Sequence, residues 1–558
     1  MKAIAQNRTP AALIYVFTPL ITLLVFTGAT TDPVNLPKLV LLSIAAFSCV
    51  PVILAKSSFI WREFKFLVIL VGLFILWALV SSIKSKAPFT QSFYGVDGRY
   101  TGFLAYICFS ILLVATVIVG RGNLYLKIIY SLLIAGIVNV LYCGFVILSG
   151  NDPIPWVNTY GNILGTLGNP NFISSFLGIF VVVSLALIME PKTSMSMRIF
   201  LVIFSAVAIL EILNSKSLQG LIVVGIGGAF VFLMLLFWSS TLRRLWLPYL
   251  FLVTIIGIIA IMGMLQKGPL ASILYKQSVS IRGAYWRSGW TMMQENPIFG
   301  LGLGSFGDWY PRARDSAALV VPGKGVYTNA AHNVPLDIGA GGGFVLFTLY
   351  LLIQVIVIIS AIKFIKRSKT YDVVFVALVG GWICYTAQSL ISINQLGLAV
   401  WGWVFSGAII GYQHPSRQVS GESNETRKSN SKKVGTKVGD YFGLLVSIGA
   451  VVGLAVSFPP FKAEAEWRTA SESGDVKKFT SAIETWPRSS LRYGTAIKVL
   501  YEYKLNDQAL EYTRKAVKFN PDSTRLWYFL YQIPESTQAE KELAKAQIRR
   551  LDPSLMIP

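Results

Sequence analysis

The sequence has few of the residues that bind metals or form disulfides. Its 558 residues include two histidines and four cysteines. It contains no CxxC or cysteine-histidine motif of the kind that zinc sites use, and no disulfide framework is indicated. The cysteines all fall in apolar segments, at Cys49, Cys108, Cys143 and Cys384. We therefore predict no metal site and no cofactor, and we interpret the cysteines as small buried residues.

Charged residues are also scarce. They make up 14% of the chain and hydrophobic residues 54%, whereas about a quarter of the residues of a soluble domain are charged. Nucleic-acid-binding proteins gather their basic residues on a soluble face. Here the net charge of +22 comes mainly from short segments between apolar runs. This pattern argues against a nucleic-acid partner and indicates contact with membrane lipids.

Long apolar runs between Ala11 and Ala455 define the fold class. Runs of roughly 17 to 25 residues can cross about 30 Å of hydrocarbon. They predict an all-α, polytopic membrane helical bundle with about 13 transmembrane helices, at 11–30, 36–54, 64–83, 102–119, 125–148, 170–189, 199–214, 219–238, 246–265, 336–361, 372–391, 397–412 and 441–457. The first run is long and lacks a cleavage site, so we interpret it as a retained helix rather than a signal peptide.

Lysine and arginine alternate between the connections, which orients the bundle. The connections rich in positive charge carry Lys56, Arg62, Lys65, Lys192, Arg198, Arg243, Arg244, Lys363, Lys366, Arg367 and Lys369. By the positive-inside rule these connections and the N-terminus are cytoplasmic. The long connection 266–335 and the tail 459–558 then lie outside the cell, and the connection is long enough to be functional.

Four domains follow from this topology. Residues 1–412 form a polytopic membrane domain, 413–440 a basic cytoplasmic linker, 441–458 the last transmembrane helix, and 459–558 an extracytoplasmic helical domain. In the tail, Ala509, Ala516 and Pro521 fit the small and proline positions of a tetratricopeptide helix pair, with a weaker copy around 462–490. A small helical cap packed on the bundle is the alternative.

Arginines on the predicted outer face are candidates for binding an anion. Arg99 precedes a span, and Arg282 shares a predicted helix face with Trp286 and Arg287. A guanidinium keeps its charge and can hold phosphate oxygens through two hydrogen bonds. Arg99 could instead reach lipid head groups. The glycine-rich "ENPIFGLGLGSF" (295–306) lacks the strand and the GK[ST] ending of a phosphate loop, so its glycines indicate tight turns and close packing.

His332 is the candidate for proton transfer. It lies in "TNAAHNVPLDIGAGGG" (328–343), beside Asn333 and about one helical turn before Asp337. Histidine titrates near neutral pH and can accept a proton from a hydroxyl as that oxygen attacks. The other histidine, His414, falls on the predicted cytoplasmic side, and we interpret it as an interfacial residue.

Four segments resemble motifs of one family. They are "GNPNF" (168–172), "IRGAYWRSGWTMMQENPIFGLGLGSF" (281–306), "AHNVPLDIGAGGG" (331–343) and "QSLISINQLGLAVWGWVFSG" (388–407). Together they resemble the O-antigen ligase / lipid-linked polysaccharide polymerase family of bacterial membrane glycosyltransferases. The resemblance covers about residues 11 to 412, and the last helix and tail fit the subgroup with a C-terminal tetratricopeptide-like domain.

The resemblance implies a metal-independent enzyme of the bacterial cytoplasmic membrane. Such an enzyme transfers a glycan from an undecaprenyl diphosphate carrier to an acceptor hydroxyl on the outer face. His332, Asn333 and Leu336 match the family's His-Asn/Ser-x-x-Leu pattern, and Arg282 matches its arginine before Pro-x-x-Gly-x-Gly. Carried over, His332 assists the acceptor and Arg282 holds the diphosphate. Direct displacement would invert the anomeric centre.

Further residues are predicted to bind substrate, and one motif departs from the family. The substrate-binding candidates are Arg99, Arg287, Lys216, Asn333 and Asn169. Ligases of this group often carry Ser-Arg-Gly where this chain has "NSKSLQG" (214–220). Lys216 could replace the missing charge, but it has no bidentate fork.

Three alternatives remain open. A polysaccharide polymerase or a protein O-oligosaccharyltransferase of the same family would differ only in its acceptor, which could be glycan, lipid or protein. A lipid-linked glycan transporter would have charged groups in its spans or broken helices in paired halves. The chain has polar mid-span residues such as Glu211 but no inverted repeat. A membrane sensor would leave His332 and the outer arginines without a role.

Overall fold

The structure, a computed structural model, describes residues 2–119, 122–414 and 441–555. These ranges are 76% helix and contain no strand. Most of the predicted linker 413–440 lies outside the described residues. The membrane part and its connections contain α1 (Lys2–Leu23), α2 (Asn35–Ala55), α3 (Ser57–Lys84), α4 (Phe89–Tyr94), α5 (Phe103–Val117), α6 (Gly122–Ser149), α7 (Pro170–Ile188), α8 (Met195–Asn214), α9 (Leu218–Trp238), α10 (Trp246–Met264), α11 (Ala271–Leu274), α12 (Gln277–Glu295), α13 (Phe306–Ala313), α14 (Val334–Arg367), α15 (Val373–Ser389) and α16 (Leu396–Tyr412). The remainder contains α17 (Phe442–Ser473), α18 (Val476–Glu484), α19 (Ser490–Glu502), α20 (Asn506–Phe519), α21 (Thr524–Gln532) and α22 (Gln538–Leu551).

Long apolar helices confirm the predicted class, a polytopic helical membrane protein. Within the described residues, nine helices are long and apolar enough to cross a membrane, and four shorter apolar helices coincide with the other predicted spans. The first helix ends at Leu23 instead of near residue 30. The chain turns back there, because Phe26 N donates to Pro33 O (2.9 Å) and Asp32 Oδ1 accepts from Val34 N (2.8 Å) at the start of α2.

The last apolar helix passes through a predicted domain boundary. α17 continues from Phe442 to Ser473, although the apolar run was expected to end at 457 and the tail domain to begin at 459. Pro459 and Pro460 lie inside this helix. The residues that follow them are polar but include several strong helix formers, such as alanine and glutamate, so the helix outlasts the apolar run. The end of the apolar run therefore predicts where the helix leaves the hydrocarbon, but it does not predict where the helix ends.

The packing of the bundle separates buried helices from a peripheral one. α7 is almost entirely buried and packs against α6, α8, α9 and α15. α10 contacts mainly its sequence neighbours α9 and α11 and exposes large apolar side chains, including Phe251 and Ile256. A helix that is apolar on all sides and unburied requires a hydrocarbon solvent. The exposed apolar surface is therefore lipid-facing.

Alternate connections gather at one end of the bundle, which we name the basic end. Trp238 Nε1 donates to Ser368 O (3.2 Å), and Glu63 lies 3.4 Å from His414 Nε2. The connections that carry the predicted cytoplasmic lysines and arginines meet here. This grouping agrees with the alternation of charge along the sequence, and the cytoplasmic location of the basic end stays a prediction of the positive-inside rule.

The other connections gather at the opposite end, which we name the site end. Asn333 Nδ2 donates to Leu390 O (2.9 Å), and Thr90 Oγ1 donates to Arg488 O of the tail (3.2 Å). The tail and the long connection between α10 and α14 therefore lie on one side of the bundle. Each has its own hydrophobic core, separate from that of the bundle.

Candidate functional site

A cavity of about 800 Å³ at the site end contains the predicted catalytic histidine. We name it the histidine cavity. Three parts of the chain surround it: the turn before α5, the connection between α10 and α14, and the tail. Its lining residues are Arg99, Tyr285, Gly307, Asp308, Pro311, Tyr327, Thr328, Asn329, His332, Ser490, Leu491, Ser523, Thr524, Arg525, Tyr528 and Leu555. The structure thus places Arg99 and His332, which are far apart in sequence, in the same cavity.

Two side chains of α14 fix the turn that carries His332. Asn333 is the N-cap, and its Oδ1 accepts from Leu336 N (3.0 Å) while its Nδ2 donates to Leu390 O (2.9 Å). Asp337 Oδ1 accepts from Ala331 N (2.6 Å). An N-cap satisfies a backbone donor that the helix itself cannot. These two contacts make Asn333 a positioning residue for the turn that carries the histidine, and its predicted role in substrate binding stays a prediction.

The backbone and ring of His332 are held by α12. The residue has φ +53°, in the left-handed region that few side chains adopt. Trp286 Nε1 donates to His332 O (3.4 Å), and the ring centroids of Tyr285 and His332 are 5.4 Å apart. A strained conformation persists only where its surroundings enforce it. The imidazole is therefore a fixed group of the cavity wall.

Electrostatics keep the imidazole neutral. Burial, followed by the positive charges of Arg282 and Arg99, lowers the pKa of His332 to about 4. Burial disfavours a charged form, and a nearby like charge does the same. At neutral pH the ring therefore holds one proton and has one nitrogen that can accept another. Arg282 lies on α12 about one turn before Tyr285 and Trp286, close enough for its charge to act on His332, but it is not among the residues that line the cavity.

Arg99 and Arg282 have no acidic partner. Within the described residues, neither guanidinium forms an ion pair with a carboxylate, and Arg282 Nε is buried without a hydrogen-bond partner. Burial lowers the pKa of both side chains from its ordinary value. A buried cation without a partner is costly. The cavity wall therefore carries one positive charge, that of Arg99, and a second lies nearby at Arg282, and no carboxylate of the described residues pairs with either.

Arg287 lies apart from these two arginines. Its Nε is 2.6 Å from Asp315 Oδ2, and both side chains are about half exposed. It does not line the histidine cavity. The helix periodicity correctly placed Arg282 and Arg287 on α12, but they face different surroundings, because residues five apart are separated by well over one turn.

A second cavity, of about 920 Å³, adjoins the first. We name it the bundle cavity. Arg99 and Asn329 line both cavities, and Asn169 lines the second. Asn169 is the N-cap of α7, accepting from Asn171 N (2.9 Å), and its Nδ2 donates to Tyr160 OH (2.9 Å). The bundle cavity also includes apolar residues at the ends of spans, such as Phe172. It therefore offers a route between the membrane and Arg99.

Lys216 lies outside both cavities. It is exposed, has φ +57°, and occupies the turn between α8 and α9. The neighbouring Ser217 Oγ donates to Asn171 Oδ1 (2.8 Å), so this turn lies beside the start of α7. The structure thus brings Lys216 near Asn169 and not into the cavity of His332.

The glycine-rich segment before α13 packs against α14. Leu301 N donates to Ala340 O (2.9 Å), and a Cβ at Gly300 would lie 2.5 Å from Gly341 O. Gly343 has φ +70° and kinks α14. A side chain at these positions would collide with backbone, so these glycines permit the close approach. They position the connection against α14, as the sequence predicts.

Several residues of the site were not predicted. Asn329 precedes the histidine by three positions, and Tyr285 carries no polar motif of its own. The tail residues, including Arg525 and Tyr528, belong to a segment whose sequence indicated only helical repeats. The signal in the sequence for these residues was the alternation of lysine and arginine, which predicts that the tail lies outside the cell. It does not specify which helix of the tail faces the cavity.

Fold and site together define a multi-pass helical membrane protein with a cavity that contains a histidine and an arginine at the site end of its bundle. A comparison with protein families matches residues 203–351 to the O-antigen ligase family. This match begins within α8, ends within α14 and includes Arg282 and His332. No curated protein matches the chain. The match at residues 203–351 supports the family expected from the motifs and a glycan-transfer role, and the expected subgroup with a C-terminal tetratricopeptide-like domain stays a prediction.

Proposed function

We propose that the protein transfers a glycan from an undecaprenyl diphosphate carrier to an acceptor hydroxyl at the outer face of the bacterial cytoplasmic membrane. One observation carries this proposal: a neutral histidine and Arg99 line one cavity, and the positive charges of Arg99 and Arg282, which pair with no carboxylate of the described residues, both act on the histidine ring. The match to the O-antigen ligase family supports the reaction class. Such a reaction needs a proton acceptor for the attacking hydroxyl and positive charge for the departing diphosphate.

The two roles divide between the residues of the site. His332 accepts the proton of the acceptor hydroxyl as its oxygen bonds to the anomeric carbon of the donor glycan. The bond between that carbon and the diphosphate oxygen breaks with inversion, and the diphosphate leaves with the electron pair. Arg99 and Arg282 neutralise the charge that develops on it, as fixed cations do in a water-poor site. These charges support transfer without a metal ion.

Donor binding tunes the base. In the free protein, burial and the two arginines lower the pKa of His332 to about 4. A diphosphate bound between Arg99 and Arg282 offsets their charge, so the pKa of His332 rises towards its ordinary value of about 6.5. His332 is then a stronger base only when the diphosphate leaving group is bound. This suppresses proton transfer from the acceptor hydroxyl when no glycan donor is present.

The two cavities suggest where each substrate lies. We place the carrier in the bundle cavity, because its lipid must stay in the membrane and because that cavity combines span ends with Arg99. Asn169 lines this cavity, and Lys216 lies near it. The acceptor then enters the histidine cavity. A polymerase or a protein O-oligosaccharyltransferase would use the same geometry with another acceptor.

The test compares the two histidines of the chain. Purified protein is given a lipid-linked glycan donor and a membrane acceptor extract, with a chelator present, and the product is measured by mass spectrometry. We expect His332→Ala to lower transfer about 10²–10⁴-fold, the usual contribution of general base catalysis. His414→Ala, at the basic end, serves as the matched control and should retain activity. Equal activity of the two variants would remove His332 from the mechanism.

A further inference from the structure

One wall of the histidine cavity belongs to the tail. α21 and the residue before it contribute Ser523, Thr524, Arg525 and Tyr528, and α19 contributes Ser490 and Leu491. This wall is formed by a segment that lies outside residues 203–351, the part that matches the O-antigen ligase family. The site is therefore completed by a part of the chain whose role the family does not assign.

Buried polar contacts hold the tail in this position. Arg314 NH2 lies 2.8 Å from Asp552 Oδ2, and the two side chains are 2% and 0% exposed. Asn520 Nδ2 donates to Asp308 Oδ2 (3.1 Å), and Ser489 Oγ donates to Asp97 Oδ2. Charge-assisted hydrogen bonds of this kind fix geometry as well as contributing stability. The tail wall is thus a built part of the cavity.

The side chains of the wall combine aromatic faces with hydrogen-bonding groups. Tyr528 is 38% exposed and Tyr327, on another wall, is 53% exposed. The Arg525 guanidinium lies 5.6 Å from the Phe529 ring centroid and, in the described part of the chain, pairs with no carboxylate. Thr524 Oγ1 is buried, and no partner for it exists among the described residues. Aromatic faces with a few convergent polar groups suit a ring that carries many hydroxyls.

We propose that this α21 wall is a saccharide-binding subsite, which holds the sugar residues next to the acceptor hydroxyl. The sugars pack on Tyr528, and Arg525 and Thr524 hydrogen-bond their hydroxyl oxygens. The wall lines the same cavity as His332, and in the proposed reaction His332 acts on the acceptor. The carrier lipid of the donor is confined to the membrane. The wall is therefore placed to bind the acceptor. That the bound saccharide is the acceptor rests on the proposed function, whereas saccharide binding by the subsite does not.

Steady-state kinetics on the full chain test the subsite. Tyr528→Ala and Arg525→Ala are compared with Tyr503→Ala and Arg549→Ala, which change exposed tail residues outside the cavity. We expect the first pair to raise the acceptor KM roughly tenfold, the effect of losing one charged hydrogen bond or aromatic contact. The donor KM and kcat should stay within about twofold, as for uniform acceptor binding. Acceptor KM values equal to those of the controls would overturn the subsite.

Binding without catalysis separates this proposal from the proposed function. The probe is the oligosaccharide released by mild acid from membrane glycolipids of the source cells, titrated calorimetrically into the full chain. Native protein and His332→Ala should bind it equally, and Tyr528→Ala should bind it at least tenfold more weakly. If native protein transfers no glycan but shows this binding pattern, the reaction is wrong and the subsite stands. If Tyr528→Ala binds as native protein does, or if only a peptide acceptor is bound, the subsite is wrong.

Discussion

The arginines at the site end fall into two groups that differ in their partners. Arg314 is buried against Asp552, and its Nη2 joins the connection to the tail through Asp552 and Ser554, while its Nη1 donates to Lys324 O within the connection. Arg99 and Arg282 are also largely buried but have no acidic partner within the described residues. Burial without a partner costs free energy that a structural role does not require. Under the proposed function, the paired arginine holds the site together and the unpaired arginines bind its ligand.

The largest expected effect is on the paired group. Arg314→Ala leaves the fully buried Asp552 carboxylate without its cation, which costs about 3–5 kcal/mol for a buried pair. We expect the tail to separate from the connection. Hydrogen exchange should show loss of protection in α21 and α22, while the bundle helices keep theirs.

A double variant sharpens the interpretation. Arg314→Met combined with Asp552→Leu removes both charges and should recover much of the lost protection, because no unpaired charge is left buried. If Arg314→Ala alone leaves protection in α22 unchanged, the pair does not hold the tail.

The unpaired group should affect transfer and not folding. Arg99→Ala and Arg282→Ala each remove one cation from the leaving group, and we expect kcat to fall about 10²–10³-fold, as for loss of one donor to a developing anion. Thermal unfolding midpoints should stay equal to or above that of native protein, because an unpaired buried charge is removed. A large loss of stability with unchanged kcat would place these arginines in the structural group.

The titration of His332 gives a smaller, directional test. Its pKa of about 4 means that the neutral, proton-accepting form dominates above that pH and is lost below it. Arg282→Gln removes a positive charge, so the pKa of His332 should rise and the imidazole should protonate at a higher pH. With two histidines in the chain, labelled-histidine nuclear magnetic resonance resolves both, and His414→Ala assigns them. An unchanged or lower His332 pKa in Arg282→Gln would contradict the arrangement.

The smallest effect is expected at Arg287. Its exposed ion pair with Asp315 should contribute about 0.2–1 kcal/mol. Arg287→Ala should therefore leave both the unfolding midpoint and transfer nearly unchanged, which makes it the matched control for Arg282→Ala on the same helix. A loss of transfer as large as that of Arg282→Ala would mean that Arg287 binds substrate after all.

Much of the fold could be predicted from the apolar runs and from the alternation of lysine and arginine. Apolar runs gave the spans, because a bilayer of fixed thickness sets the length of each helix. The alternation of lysine and arginine grouped the connections into two ends, as the contact of Glu63 with His414 at the basic end illustrates. The course of α17 beyond residue 457 was not readable, because helix formation continues in polar sequence after the membrane ends.

The site was readable only in part. His332 and Arg282 are residues of the family motifs, and Arg99 is a charged residue next to a predicted span. The N-cap role of Asn333 and the separation of Arg287 from the cavity needed coordinates, since a sequence does not show which hydrogen-bonding atoms are already occupied. Arg525 and Tyr528 gave no local signal, because their position depends on how the tail docks.

The sequence by itself determined the class of protein, the number of apolar helices and the rare residues able to do chemistry. These depend on local composition and on the constant thickness of the membrane. Only the tertiary structure decided which charges are paired and which, among the described residues, have no opposite charge beside them, because pairing such as that of Arg314 with Asp552 joins residues far apart in the chain. It also decided that the tail completes the cavity of His332, since long-range packing, and not local pattern, brings α21 there.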